Sequence, residues 1–569
     1  MSSPRILAVC CVVATSCVAC RKSEGPPPAG SLEVVVDPIT TRLLIQGDLE
    51  QGQLALTFDD GPDPEHTLPL LDILDDHGVK ATFFQIGLHA QAHPELTREI
   101  LARGHALGSH SWDHTDLTEL PLPEAVANLE QGHAAVESAA GAGSYLPFFR
   151  FPFFASNEDL MTAAAQRGLA VFQANIITED WLTPDAAELL TNAVDAVEAE
   201  GSGIVLFHEY QPQTVEMLDA FLTEIRERGY DTVVFRPRET LASLARSRGI
   251  RVGSFVWSLD EIPGSGHRET ALREFNIYTL PAFFRIVQPV QGQFDFSIPD
   301  QAADQALLTA AFRVHCPLHC DLLADWIVDG GFTGPELEQI LVDFVTTVVG
   351  HYETAYPGRI ASYDIVNEVL SFRGDSCPWN RIGLEAGVDE LEYVRIALET
   401  ARSVSPMAKL YINDFHIEGL NDKSDELYEL ASGLVADGVP LDGIGLQSHF
   451  VVDSEELFGP MPPVDDILQN MERLGALGLE TKITEADFSV WTEDLSPELL
   501  EHQADSYRDL MHACLASSSC VAFLTWGVGD VDSWILDFFD GWSTPLLFDV
   551  DYEPKPAYYA LMDELRDTP

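Results

Sequence analysis

Basic residues are scarce in this chain of 569: Lys and Arg number 32 against 91 Asp and Glu, a formal charge of −59. Neutralising a phosphate backbone needs a surplus of Lys and Arg, and no stretch supplies one, so nucleic acid is excluded as a partner. A neutral ligand fits the charge better. Long apolar runs are also missing: past the first twenty residues none reaches the roughly 18 needed to cross a bilayer as a helix. No repeat with a period of about 20–50 residues occurs, which argues against a solenoid or propeller. Cysteines total nine, four of them in the first twenty positions, leaving five for the rest of the chain.

What is present is a chain that can fold. Hydrophobic residues make up 46%, enough to bury cores. Single cores stop growing near roughly 250–300 residues, so this length has room for two sizeable domains. The start reads as a secretory signal over 1–20: basic Arg5, then the apolar run Ile6 to Ala14, too short to span a membrane. Small residues ahead of a cysteine resemble the lipobox of bacterial lipoproteins, which implies a lipid anchor on Cys20, with Cys17 as second choice. Ordinary cleavage and release is the alternative. The expected location is the bacterial cell envelope, as an outer-membrane lipoprotein, or outside the cell.

Residues 21–42, with Pro26 to Pro28, are expected to be an extended tether, and ordered structure to begin near Leu43. From there strand-like runs (Leu54 to Phe58, Ala81 to Ile86, Ala170 to Ala174, Gly203 to Phe207) alternate with helix-like ones (Thr67 to His77, Pro94 to Arg103, Pro123 to Ala139, Glu216 to Arg228). Such alternation predicts parallel strands with crossover helices, an α/β fold. A linker is expected at 241–250, between a domain over 43–240 and a second strand–helix series over 251–569. In that series Arg359 to Val366, Met407 to Ile412, Gly443 to Gln447, Glu480 to Thr484 and Val521 to Trp526 read as strands. An exported chain allows disulfides, so Cys514 is expected to pair with Cys520, and Cys316 with Cys320, leaving Cys377 free.

Asp59 and Asp60 end a strand and meet the turn Gly61-Pro62, which exposes both carboxylates. His110 and His114 stand four apart, the spacing at which one helical turn presents two imidazoles to one metal. One carboxylate and two histidines make an open site for a divalent cation. Thr57-Phe-Asp-Asp-Gly-Pro62, His110-Ser-Trp-Asp-His114, Arg150-Phe-Pro-Phe153, Asp180-Trp181 and Leu206-Phe-His208 resemble, in order, the five motifs of the polysaccharide deacetylase family (NodB homology, carbohydrate esterase family 4) over about residues 48–240. The resemblance implies a distorted (β/α)7 barrel. It also implies zinc on Asp60, His110 and His114, and Asp59 as base. His208 would be the acid, Arg150 would orient Asp59, Asp180 would support His208, and the backbone near Phe153 would hold the oxyanion. Phe153 replaces a common Tyr, and Glu209 a common Asp.

Farther on, Tyr363-Asp-Ile-Val-Asn-Glu368 and Lys482-Ile-Thr-Glu485 each end a hydrophobic strand in a carboxyl group. Strand-end carboxyls converge on one mouth if the strands close into a barrel, and two of them suit glycoside hydrolysis. Asp364 to Glu368, Tyr411-Ile-Asn-Asp414, Asp442 to His449, Ile483-Thr-Glu485, Thr525 to Asp530, Ser533-Trp534 and Pro554-Lys-Pro556 resemble glycoside hydrolase family 10, chiefly endo-β-1,4-xylanases on a (β/α)8 TIM barrel. The resemblance implies Glu368 as acid/base and Glu485 as nucleophile of a retaining reaction, with no cofactor. Asn367 would bind a sugar hydroxyl and His449 would orient Glu485. Gln447, His315, Trp526 and Trp534 would line the subsites. Cys514 and Cys520 stand where related enzymes carry a short disulfide loop. The first half departs from the pattern: Leu280-Pro-Ala-Phe-Phe-Arg285 replaces a usual Asn-Glu-x-Lys-Trp segment, so that Arg285 takes the place of the Lys and Phe283 that of the Glu. His319 and Leu322 stand where Trp and Gln are common.

The leading expectation is a monomeric bifunctional enzyme acting on acetylated xylan or a related β-1,4-glycan. Two others stay open: a peptidoglycan- or chitin-type N-deacetylase paired with a divergent glycanase, and a surface carbohydrate-binding protein with an inactive barrel. The charge has its own consequence, because self-repulsion at −59 is relieved by counterions. The thermal unfolding midpoint should rise from salt-free buffer to seawater-like salt; a flat or falling midpoint would refute that.

Overall fold

The structure, a computed structural model, describes residues 31–45, 49–259, 266–452, 454, 458–490, 495–539 and 544–567. The signal and lipobox residues, and Pro26 to Pro28, lie outside the described residues.

The first domain is one parallel sheet flanked by helices. Its strands are β1 (Leu32–Val36), β2 (Leu43–Leu44), β3 (Gln53–Asp59), β4 (Thr82–Gln85), β5 (Ala106–Ser109), β6 (Phe148–Phe149), β7 (Ala170–Phe172), β8 (Ile176–Ile177), β9 (Gly203–His208) and β10 (Asp231–Pro237). β3 and β9 are apolar on both faces, as interior parallel strands must be when helices cover both sides. Seven strands run round in the order β8-β9-β3-β4-β5-β6-β7, and among the described residues no ladder joins β7 to β8, so the (β/α)7 barrel stays open there. The register pairs Asp59 with His208 across β3 and β9, which brings two motifs far apart in sequence to one sheet end. The helix Pro212–Glu227 starts with Pro at its first turn and buries Met217, Leu218, Phe221, Leu222 and Ile225, one apolar face at helical spacing.

Two expectations about domain boundaries are corrected. Part of the expected tether is folded, because β1 runs parallel to β10 from Leu32 beside Val233 to Val36 beside Pro237. Residues 241–250 are not an extended linker: Leu241–Ser247 is a helix with a Thr240/Ser243 capping box, packed on β11 (Arg251–Phe255) and on the C-terminal helix Pro556–Asp567. Arg248 Nε then donates to Leu565 O at 2.6 Å, satisfying a carbonyl at the end of that last helix.

The second domain is a closed eight-stranded parallel barrel. It adds β12 (Ile277–Pro281), β13 (Ala311–Leu318), β14 (Ile360–Asn367), β15 (Lys409–Asp414), β16 (Gly443–Leu446), β17 (His449–Val451), β18 (Glu480–Ser489) and β19 (Cys520–Thr525). The circuit runs from β11 through β16 to β18 and β19, and β19 pairs back onto β11; β17 is a short extra strand on the far end of β18. The five expected strands of this series are all present, each within two residues at either end except the fourth, β18, which runs on to Ser489.

Cys514 and Cys520 are bonded as expected, but Cys320 bonds Cys377 and not Cys316. Folding brings the loop after β13 against the segment after β14, a proximity of residues 57 apart that sequence spacing cannot show.

One close approach positions the histidine motif. Gly132 of the helix Leu122–Ala140 packs so tightly on the loop after β5 that a Cβ there would lie 2.2 Å from the Ser111 carbonyl carbon. Alanine would gain about 1 kcal/mol of helix propensity, but overpacking costs about 1–3 kcal/mol, and the obstacle is backbone. Gly132→Ala should therefore lower the thermal stability of the first domain and its acetyl release while sparing glycoside cleavage; an unchanged midpoint and acetyl release would show the loop can yield.

Candidate functional sites

In the first domain the motif residues meet at the ends of β3, β5 and β9, around a cavity of about 360 Å³ lined by Asp59, Asp60, His110, His114, Phe153, Trp181, His208 and Tyr210 among others. Asp60, His110 and His114 present ligand atoms within 4.8 Å of one another. His110 and His114 do not sit on a helical turn. The segment is a loop in which Ser111 and His114 take positive φ (65° and 62°), and this bends both rings back to Asp60. Their Nε2 atoms lie 3.6 and 3.4 Å from Asp60 Oδ1.

That oxygen is buried and has no hydrogen-bond partner among the described residues, which is costly unless something positive sits there. His110 Nδ1 donates to Arg150 O at 2.7 Å, fixing the tautomer that leaves Nε2 with its lone pair facing Asp60. Burial pushes both imidazoles toward the neutral, ligating form. The residues fit a divalent cation.

Around this trio the charges are held separately. Arg150 is fully buried, donates to Asp59 Oδ1 at 2.6 Å and to Thr57 Oγ1 at 2.9 Å, and so orients Asp59. His208 Nδ1 donates to Asp180 Oδ1 at 2.7 Å, while Asp180 Oδ2 accepts from His208 N and from Thr214 Oγ1, each at 2.7 Å. Burial alone would lower the His208 pKa, but the Asp180 hydrogen bond and charge outweigh it and the net shift is upward. Phe153 is exposed, has φ 58°, and sets its ring edge-on to His114 at 4.6 Å. Glu209 is buried against Thr67, and burial pushes its pKa up to about 8, so it is a neutral packing group beneath the site.

In the second domain Glu368 follows β14 and Glu485 lies in β18, both at the C-terminal mouth of the barrel. Glu485 is almost fully buried and heavily supported. Arg313 Nη2 lies 3.1 Å and Asn413 Nδ2 2.7 Å from its Oε1, and His449 Nε2 lies 3.4 Å from its Oε2. Burial would raise its pKa, but His315, His449 and Arg313 together bring it down to about 2. His449 is in turn raised to about 10: burial opposes, and Asp487, 2.9 Å from Nδ1, prevails with Glu485. Trp534 Nε1 donates to the same Asp487 oxygen at 3.1 Å.

Glu368 is less enclosed. Its Oε1 accepts from Asn367 Nδ2 (3.2 Å) and Gln447 Nε2 (3.3 Å), and His319 Nε2 lies 3.0 Å from Oε2. Strand register explains much of this: His315 stands beside Asp364, Asn367 beside Asn413, and His449 beside Asp487. His315 bonds Asp364 through Nδ1 at 2.7 Å.

A family model described as polysaccharide deacetylase matches residues 46–172, and one described as glycosyl hydrolase family 10 matches residues 240–564. The chain belongs to glycosyl hydrolase family 10. A polysaccharide deacetylase domain is fused ahead of the family 10 domain. Among similar proteins, endo-1,4-beta-xylanase B of Thermotoga neapolitana is 32% identical over 325 residues, covering 56% of this chain and 88% of that protein. Endo-1,4-beta-xylanase A of Humicola insolens is 31% identical over 283 residues, covering 49% and 70%. Among solved structures, native xylanase 10B from Thermotoga maritima aligns with a TM-score of 0.52 at 30% identity, covering 58% of this chain and 98% of that one.

Within the family 10 domain the structure brings together Glu368, Glu485, Asn367, Gln447, His449, His315 and Trp526, with Trp534 bound to the Asp487 that holds His449. Arg285 stands apart on the exposed side of the short helix Phe284–Val287. Its neighbour Phe283 is buried with Phe255, and Ile286, Leu322 and Trp526 pack on them, so the segment that departs from the family pattern is an apolar wall. Sequence reasoning misses Arg313, Asp364, Asn413 and Asp487. Asp364 and Asn413 lie inside recognised motifs, and Asp487 is two residues past Glu485, the spacing that shares a strand face.

Arg313 is fully buried between Asp364 (2.5 Å) and Glu485 (3.1 Å). Removing one partner of a buried ion pair strands the others, at about 3–5 kcal/mol. Arg313→Met should destabilise the family 10 domain by that order in denaturant unfolding and raise the Glu485 pKa; a loss below about 1 kcal/mol would show that His315 and His449 suffice.

Proposed function

We propose that the chain is an exported bifunctional polysaccharide-degrading enzyme, a metal-dependent deacetylase joined to a retaining endo-β-1,4-xylanase. The observation that carries the reading is the opposed pair at the barrel mouth: Glu485 held ionised by three cationic or imidazole groups, and Glu368 held more loosely by amides and one imidazole. The similar proteins named above are called endo-1,4-beta-xylanases, which supports xylan as the substrate.

In the deacetylase, a divalent cation on Asp60, His110 and His114, zinc in this reading, supplies Lewis-acid polarisation and acidifies water. Asp59, oriented by Arg150, accepts the proton of the attacking water. His208, whose proton affinity Asp180 raises, returns a proton to the departing oxygen or nitrogen. The left-handed backbone at Phe153 borders the place assigned to the oxyanion.

In the glycosidase, Glu368 protonates the glycosidic oxygen while Glu485 attacks the anomeric carbon. Glu368 then takes a proton from water, which displaces Glu485 with net retention; this needs the carboxyls about 5–5.5 Å apart. Asn413 bonds both Asn367 and Glu485 at 2.7 Å and fixes the two sides of the cleft to each other.

Acetyl groups obstruct a glycanase cleft, so the first activity clears the way for the second. Export with a lipid anchor on Cys20, and action as a monomer, complete the proposal. The apolar wall of Phe283 and Leu322 favours a second reading of the substrate, a β-1,4-glycan other than plain xylan.

The test incubates the full chain with acetylated glucuronoxylan, following acetate and reducing ends with and without a chelator. Chelator should abolish acetate release and slow, but not stop, backbone cleavage, and Glu485→Ala should abolish cleavage and spare acetate release. Cleavage that survives Glu485→Ala would sink the glycosidase assignment, and acetate release that survives chelation would sink the metal.

A further inference from the structure

The contact that neither family motif accounts for is at Glu368. His319 follows β13 and is buried; its Nδ1 accepts the backbone N–H of Asp321 at 3.0 Å. With its lone pair used there, the neutral ring carries its proton on Nε2, the atom 3.0 Å from Glu368 Oε2. The imidazole is therefore a donor to the carboxylate without having to be charged.

The ring has little freedom to leave. Phe372 packs on its edge at 5.7 Å, and the Cys320–Cys377 disulfide ties the next residue to the segment that follows Glu368. Glu368 itself has φ 56°, a conformation only a constrained non-glycine residue keeps.

We propose that His319 is a positioning residue that clamps the Glu368 carboxylate through a fixed imidazole tautomer and sets the alkaline edge of the glycosidase's pH range. The proposal rests on the reading of Glu368 as acid/base.

Among the described residues, five groups bear on Glu368. His319 comes from the loop after β13, Gln447 from the end of β16, Asn367 from its own strand, and Glu485 from β18. Asp414 comes from β15 and is paired with Lys423 at 2.7 Å. Burial and the Glu485 charge favour the protonated form of Glu368; the hydrogen bond and electrostatic attraction of His319 and the hydrogen bond of Gln447 favour the ionised form and prevail, so its pKa is lowered.

The sign follows. Protonating a leaving group requires Glu368 to hold a proton, so a donor that stabilises the carboxylate moves the loss of activity to lower pH. Removing that donor moves it to higher pH.

The experiment measures kcat/KM against pH for the full chain on a xylo-oligosaccharide and on a dinitrophenyl xylobioside, whose leaving group needs no proton. His319→Phe, which keeps a buried ring and removes the donor, should shift the alkaline limb on the oligosaccharide upward by roughly one pH unit. His319→Gln, which keeps an N–H, should restore it, and neither should move the aryl glycoside profile.

An unmoved limb in His319→Phe overturns the proposal. So does an equal loss on both substrates at every pH, which would mean that the side chain only supports the fold. Glu368→Ala separates the underlying reading: if it lowers both substrates equally, Glu368 is not the acid and the failure lies there.

Discussion

Each of the two domains is organised around a guanidinium with no access to water. Arg150 and Arg313 are both fully buried, and each is paired with a carboxylate of the candidate catalytic set, Asp59 for the first and Glu485 for the second, with Asp364 also against Arg313. A buried arginine cannot shed its proton to escape the cost of burial, so the surrounding chain must supply fixed negative charge and hydrogen-bond acceptors. Thr57 and the Gln173 carbonyl do so for Arg150; Thr279 and the Thr484 carbonyl do so for Arg313. The carboxylates proposed to react, Asp59 and Glu485, thereby also help to keep each domain interior electrically balanced.

This arrangement bears on the composition of the chain. Arg150, Arg313, Lys482 and Lys555 are all buried, so part of the small basic complement is unavailable to the surface. Lys482 is an extreme case: burial brings its pKa down to about 7, with Ser362 Oγ at 2.7 Å and the Tyr411 ring at 3.7 Å. The interior takes up carboxylates as well, among them Asp59, Asp364, Glu485 and Asp530, so the exterior keeps about the acidic excess of the overall count and the argument from charge against polyanionic ligands stands.

Where the sequence was legible, it was because a local pattern carried the information. Apolar strands such as Leu54 to Phe58 and amphipathic helices such as Pro212–Glu227 announce themselves by period, and strand-end carboxylates announce a barrel mouth. What was not legible depended on contacts between distant segments. β1 becomes a strand only because β10 offers an edge to pair with. Cys320 finds Cys377 only after β13 and β14 lie side by side. The histidine loop is non-helical because the Gly132 helix and Asp60 shape it, while its i,i+4 spacing reads as helix on paper. Arg313 and Asn413 carry no signature alone, since their meaning comes from facing Glu485 across the barrel.

Trp534, Asp487, His449 and Glu485 form a single file of polar contacts, at 3.1, 2.9 and 3.4 Å in turn. The outermost member is half-buried and the innermost is Oε2 of Glu485, the carboxylate proposed as nucleophile. An indole displaced at one end would loosen the anchor of the imidazole at the other, so a ligand pressing on Trp534 would bear on the Glu485 carboxylate as well. Grip and reactivity at this cleft are one mechanical linkage.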